Sequence, residues 1–250
     1  MKESRKIGLA RALSKLGYCS RVQAARLIRA GRVRLNGAIR RDPETPVHLE
    51  RDQIEADGAV VRPSDEYYLM VNKPRGIVTT ASDEKGRETV YSLLDARLPW
   101  VAPVGRLDIA SEGLLLLTND SEWAARISDP RAHLDKTYHV QIDAVADETL
   151  VNQLGRGVRS DGELLRAKRV RVLRTGERNS WLEIVLDEGK NRQIRRMHGE
   201  LGIGVLRLVR VAIGPLPLGH LGKGKFRTLA ASEKLALDEA MRFAEDRGKA

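Results

Sequence analysis

Between Gly105 and Asp120 the chain reads GRLDIASEGLLLLTND, and this segment holds the side chains best suited to chemistry. Asp108 follows Arg106 by two residues on a tight turn ahead of an apolar run. A carboxylate beside a cation, with no metal-ligand cluster near it, suits electrostatic or nucleophilic work on an uncharged substrate. The tetrapeptide GRLD alone occurs by chance, and an Asp next to an Arg is usually a surface ion pair of small weight. Glu112, four residues on, raises a second reading: a glycosidase-type carboxylate pair. Aromatic residues make up only 4% of the chain, few for stacking sugars, which argues against it. His133, His139 and His198 share no ligand spacing with carboxylates or with the sole thiol, so no metal is expected. Gly222-Lys223-Gly224-Lys225 lacks the spacing and hydroxyl of a nucleotide-binding phosphate loop.

Forty-four Lys plus Arg stand against 34 Asp plus Glu, a formal charge of +10, which favours a polyanionic partner such as nucleic acid. The excess is concentrated at one end. Within residues 1–41 lie Lys2, Arg5, Lys6, Arg11, Lys15, Arg21, Arg26, Arg29, Arg32, Arg34, Arg40 and Arg41 against the single acid Glu3. At 250 residues and 42% hydrophobic composition the chain can fill one large core plus a small one. One cysteine, Cys19, precludes an internal disulfide. No apolar run nears the roughly 20 residues that cross a bilayer, and MKESRKIGLARALSK is unlike a secretory leader. A cytoplasmic monomer without membrane contact is expected.

The elements that must position Asp108 follow from pattern. Residues 7–17 space Ile7, Ala10, Leu13 and Leu16 as on a helix that stops at Gly17. Ser20 with Gln23 forms a capping box for a second helix ending at Gly31, and VRLNGAI turns back at Asn36-Gly37, a hairpin dipeptide. Val61 to Glu66 reads as a linker, dividing a module of residues 1–62 from a domain of 67–250. In that domain YYLMVNKP is a strand broken at Pro74 to Gly76. Further strands are expected at 113–118, 138–142, 164–172, 181–186 and 205–213, with helices at 120–127, 191–201 and 232–247 and a charged end that frays. Strands outnumber helices without strict alternation, so the fold class is α+β, around a mixed or mainly antiparallel sheet.

SRVQAARLIRAGRVRLNG resembles the small RNA-binding domain first described in ribosomal small-subunit protein four. The resemblance implies that Ser20, Arg21, Gln23, Arg26, Arg32 and Asn36 contact RNA phosphate and sugar. NKPRG at 72–76, the segment 105–120, KTYHVQI at 136–142, and EGKNRQIRRM at 188–197 followed by GVLRLVRVAIGPL at 204–216 together resemble, in order and spacing, the ribosomal pseudouridine synthases that carry this N-terminal domain. That likeness covers nearly the whole chain. It implies a pseudouridine-synthase catalytic domain that detaches uracil from its ribose, turns it and rejoins it through carbon, with no cofactor.

By the same resemblance Asp108 is the catalyst. It either attacks the anomeric carbon or takes the proton of the neighbouring ribose carbon to give a glycal. Arg195 is its cation, on one helix face with Arg192. Arg192 contacts RNA, as does Arg196, which lies about 100° from Arg195 round the helix and turns outward, and Ile194 walls the uracil pocket. Tyr138 stacks on the base with its hydroxyl near the proton that must leave. Arg106 is free to fill the space of the flipped uridine or grip its phosphate. Lys73 either braces the loop or contacts substrate RNA. Two departures from the family pattern are Ser121 after TND and SDPRAHLD before Lys136; His198 receives no catalytic role. The partner expected is structured ribosomal RNA, a stem-loop in a pre-ribosomal subunit. Large-subunit RNA is favoured, with small-subunit RNA, or a non-catalytic assembly factor, as the alternatives.

Overall fold

The computed structural model describes residues 6–132 and 134–247, with side chains up to Arg242. Lys2, Glu3, Arg5, His133 and the last three residues lie outside the described residues. The chain divides into two compact units. One takes the chain up to Tyr68 with Leu94–Ala102 and Leu117–Glu122; the other takes Leu69–Leu93, Pro103–Leu116 and everything from Trp123.

In the first unit, helices Leu9–Lys15 and Arg21–Arg29 pack a face of Leu9, Leu13, Ala24 and Ile28, all without solvent exposure, onto Val33, Leu35, Ile54 and Ala56. Each helix ends on a glycine in the left-handed region. At Gly17 the Tyr18 and Gly17 amides return to the Leu13 and Ser14 carbonyls, and at Gly31 the Arg32 and Gly31 amides return to Leu27 and Ile28, which satisfies carbonyls that the helix end orphans. The first helix starts two residues later than the periodicity predicts, because Ile7–Gly8 pairs as a strand with Pro46–Val47. The four-stranded sheet runs Ala38–Ile39, Val33–Leu35, Ile54–Ala56, Ala59–Val60. Its turns are Asn36-Gly37, as expected, and Asp57-Gly58, a signal of the same type that sequence reasoning passed over.

The second unit carries a nine-stranded sheet, and the α+β expectation holds. Its order is Arg169–Thr175, Ser180–Leu186, Lys136–Ile142, Val205–Ile213, Glu112–Thr118, Tyr68–Lys73, Phe226–Thr228, with Ala102–Val104 and Leu216–Pro217 beside the path. Val205–Ile213 pairs antiparallel with Lys136–Ile142 but parallel with Glu112–Thr118, so the sheet is mixed. All seven residues of Glu112–Thr118 are buried, the continuous apolar run of a strand covered on both faces. Helices Glu148–Arg156 and Gln193–Glu200 set Leu150, Leu154, Ile194 and Met197 into one cluster with Val140, Ile142, Leu182, Ile184 and Leu208.

Two predicted elements change, and a helix that was not expected appears. The expected strand 164–172 is two: Glu163–Leu165 folds back on Val158–Ser160 across Asp161-Gly162, and Arg169–Thr175 joins the large sheet. Helix Glu148–Arg156 was not predicted, although Asp147 caps it by accepting from the Leu150 amide at 2.8 Å. The helix expected at 191–201 is Gln193–Glu200, because Arg192 stands at its N-cap in the left-handed region and breaks the helical path.

Candidate active site

Asp108 lies on the loop between Ala102–Val104 and Glu112–Thr118, and this loop is fastened carbonyl by carbonyl. The Thr79 hydroxyl donates to Leu107 O at 2.8 Å. Lys73 Nζ donates to Asp108 O at 3.2 Å, to Ser111 O at 2.8 Å and to Pro74 O at 3.0 Å. The Gly76 amide donates to Ile109 O at 2.8 Å, and the Ser111 amide to Asp108 O at 2.9 Å. Arg195 Nη2 donates to Ala110 O at 3.0 Å. Five successive carbonyls, Leu107 to Ser111, thus have fixed donors, and the backbone that aims Asp108 has little freedom. Its half-buried carboxylate forms no hydrogen bond or ion pair among the described residues.

Lys73 is fully buried. Of its two expected tasks the structure selects bracing, and its place among the substrate-binding residues is corrected: no part of the side chain reaches solvent, and its ammonium is spent on three carbonyls. Burial pushes its pKa down from 10.5 to about 8, against the pull of Asp108 and Glu112 and with Arg210 adding to the fall.

Arg195 comes to the same loop, but not as a direct ion-pair partner within 4.0 Å of Asp108. It bridges Ala110 O and Val205 O, the latter at 3.2 Å, and its Nε is buried without a partner among the described residues. Burial lowers its pKa and nearby Arg192 adds to this, while Asp108 raises it and Arg75 lowers it. The cation is therefore close enough to feel Asp108 and is held from behind by backbone. Arg75 joins the positive field here, its Nη1 on Leu206 O at 3.3 Å. It sits in NKPRG two residues after Lys73, and its place in that motif was the available signal. Arg106 is exposed and without an ion pair among the described residues.

Tyr138 is half-buried on the large sheet, packed against the cluster that contains Ile194. Its register partner is Arg210, which is in turn opposite Gly113, so two strand spacings, roughly 10 Å, separate the tyrosine from the strand that leaves the Asp108 loop. Gly113 has φ 104°, and a β-carbon there would overlap the Arg210 backbone, so only glycine permits this approach. Arg210 is 5% exposed and donates from Nε to Leu114 O at 2.7 Å; nothing in its local sequence marks it among the other arginines. Ile194 is 3% exposed and serves chiefly as core.

Glu112 is excluded as a second free carboxylate. It is sealed at 1% exposure, with Arg207 Nε at 2.9 Å and Lys223 Nζ at 2.6 Å. Burial alone would raise its pKa, but the two cations win and lower it. Arg196 also departs from expectation. Instead of turning to RNA, it donates to Glu163 at 2.8 Å and to Ser160 O at 2.8 Å, tying the helix to the 158–165 hairpin. Arg192 is exposed.

In the first unit the RNA-contact set divides. Ser20 and Gln23 complete the capping box, so Ser20, 7% exposed, is occupied. Arg32 forks onto Asp57 at 2.6 and 2.7 Å, and Asn36 is engaged by Asp52 and the Gln53 amide. Arg21 and Arg26 remain exposed without ion pairs among the described residues and, with Lys6, Arg11 and Arg29, line a groove of about 830 Å³. Among the described residues no three His, Cys, Asp or Glu gather as a metal site, and no helix is long and apolar enough to cross a membrane.

Comparison with known proteins gives concordant matches. Residues 67–199 match the family described as RNA pseudouridylate synthase, and residues 7–54 match the S4 domain. An uncharacterized RNA pseudouridine synthase of Aquifex aeolicus is 37% identical over 230 residues, 92% of either chain. The ribosomal large subunit pseudouridine synthase B of Bacillus subtilis is 34% identical over 243 residues, 96% of this chain and 98% of that one. A crystal structure of a pseudouridylate synthase superposes with a TM-score of 0.64 at 30% identity, covering 92% of this chain and 99% of that one.

Proposed function

The chain belongs to the RNA pseudouridylate synthase family, and from that premise we propose that it isomerises one uridine of ribosomal RNA to pseudouridine with Asp108 as catalyst, large-subunit RNA being the favoured target. Members of this family are isomerases, and the S4 domain marks the chain as RNA-binding. The observation that carries the assignment is the Asp108 loop: five carbonyls anchored and one carboxylate left unengaged among the described residues. Orientation of a reacting group is a large part of catalysis, and here the fold applies it to one carboxylate.

In the reaction the bond from uracil N1 to ribose C1′ breaks, the base turns, and a bond from C5 to C1′ forms. The C5 proton leaves and N1 gains one, so the change needs no oxidant and no group donor. Asp108 acts either by attacking C1′ or by taking the proton of C2′. Arg195 holds the loop at the Ala110 carbonyl and brings its positive charge to it, Tyr138 supplies a ring for the base and a hydroxyl for the departing C5 proton, and Arg106 takes the place of the extruded nucleotide. Residues 1–62 grip RNA through the groove of Arg21 and Arg26, residues 67–250 perform the chemistry, and the protein works in the cytoplasm as a monomer.

Asp108→Asn tests this reading. Pseudouridines are mapped by carbodiimide-blocked primer extension on ribosomal RNA from cells with and without the gene, then with the variant. The expected result is one lost stop that the wild type restores and Asp108→Asn does not, with RNA affinity retained. Restoration by Asp108→Asn would refute the assignment, and a full set of stops in the deletion strain would move the substrate to another RNA.

A further inference from the structure

Beside the phosphate groove the first unit holds a second cleft, of about 680 Å³, built by residues that sequence order keeps far apart. Tyr18, 39% exposed, lies at the end of the first helix. Trp100 comes from the segment Leu94–Ala102 and is tied there by its amide, which donates to Gly17 O at 2.9 Å. Leu27 and Leu98 add apolar surface, and Asp57 stands on the lining with Arg32 clamped to it at 2.6 Å and the Tyr18 hydroxyl at 3.4 Å. Two of the chain's ten Phe, Trp and Tyr residues therefore share a cleft with a carboxylate that neighbouring side chains hold in place.

The two hollows flank the helix Arg21–Arg29. Arg21, Val22, Ala25 and Arg29 line the basic groove, Gln23 and Leu27 line the cleft, and Arg26 lines both. A groove of cations that leads across one arginine into an aromatic recess fits a polynucleotide whose backbone stays in the groove while one base turns aside. Single-stranded bases are held in this manner, by stacking on aromatic rings with polar groups at the base edge. The Arg32–Asp57 pair is too exposed to contribute much stability, but it leaves a fixed acceptor at the cleft for an exocyclic amine.

We propose that the cleft lined by Tyr18 and Trp100 receives one unpaired nucleobase of the bound RNA, distinct from the uridine that reacts, with Arg26 on the adjoining phosphate. The proposal rests on the RNA-binding reading of the first unit. It gives the 94–102 segment a recognition task and makes an unpaired base next to a helical stem part of what the protein reads.

The test uses the full chain and three fluorescein-labelled RNA hairpins: one with a single bulged adenosine, one with an abasic bulge, one fully paired. Stacking of a base on an aromatic side chain predicts that the wild type binds the adenosine bulge about 5- to 150-fold more tightly than the abasic one. Trp100→Leu is expected to reduce that ratio to near unity with abasic-hairpin affinity unchanged, Tyr18→Leu to reduce it in part, and Trp100→Phe to retain most of it, with thermal melting checking that each variant is folded. A wild-type ratio near unity, or an unchanged ratio in folded Trp100→Leu, would overturn the proposal. So would displacement of the bulged hairpin by free AMP at equal concentration, which would make the cleft a mononucleotide site. Failure of the wild type to bind any of the three hairpins at low salt would instead overturn the RNA-binding reading, and the proposal with it.

Discussion

Replacing Lys73 by methionine separates the two effects of a buried cation on the Asp108 loop. In the wild type, burial holds the ammonium pKa at about 8 in place of 10.5, a difference of roughly 3 kcal/mol between protonation states. The folded pKa is depressed, so between pH 8 and 10.5 the unfolded chain binds more protons than the folded one, and stability rises with pH through that window. Below pH 8 the full penalty is present. Methionine removes it but leaves the carbonyls of Pro74 and Ser111 without their lysine donor and Asp108 O with only the Ser111 amide. At about 1–3 kcal/mol for each buried acceptor so orphaned, the two former carbonyls cost about 2–6 kcal/mol. Near pH 7 the terms largely offset and the variant is close to wild type in stability. By pH 10.5 it falls further behind, by roughly 3 kcal/mol. Urea unfolding of both proteins at pH 7, 8.5 and 10.5 reads this divergence directly. Catalysis responds differently, because the loop that aims the carboxylate has lost its clamp: kcat at pH 7 is expected to fall about 100-fold with KM nearly unchanged. Parallel stability curves in the two proteins, or an unaltered kcat in a folded variant, would refute the account of Lys73 as the buried brace.

Two further substitutions test other parts of the site. Glu112→Gln removes the charge that Arg207 and Lys223 share; because both cations are about half exposed and solvated once it is gone, stability is expected to drop by only about 1–3 kcal/mol in urea unfolding while pseudouridine formation persists in the folded fraction, whereas loss of turnover in fully folded Glu112→Gln would revive the two-carboxylate reading. His198 is fully buried, with Nδ1 2.8 Å from Ile194 O, and burial lowers its pKa despite that hydrogen bond. The unfolded state therefore protonates first and wild-type stability falls as pH drops below 6.5, so His198→Leu should show a smaller loss of melting temperature between pH 7 and pH 5; equal losses would contradict a neutral buried imidazole.

Much of the local structure was legible because it depends on near neighbours in sequence. The Ser20 capping box, the glycine stops at Gly17 and Gly31 and the Asn36-Gly37 turn each follow from two or three residues. The Asp57-Gly58 and Asp161-Gly162 turns carried the same signal. Strand 205–213 was read at its observed bounds because its apolar residues recur without a breaker. The 164–172 reading failed where an apolar stretch, continuous in sequence, straddles a change of pairing partner, which no local period records.

The sequence by itself determined which residue types lie at the reacting turn, that one end of the chain is basic, and that the fold is α+β, because side-chain chemistry, charge and hydrophobic period are properties of short stretches. Tertiary structure alone decided which cations are free. Lys73, Arg196 and Arg32 look alike on paper, yet each is taken up by acceptors 25 to 38 residues away; Arg106, Arg21 and Arg26 form no ion pair among the described residues. It also decided that Arg195 meets the Asp108 loop at the Ala110 carbonyl, that Glu112 is paired with two cations about a hundred residues downstream, and that Trp100 comes to the same cleft as Tyr18. A long-range contact is a three-dimensional coincidence of distance and burial. The free or occupied state of a charged side chain depends on that coincidence, so it is settled only when the chain has folded.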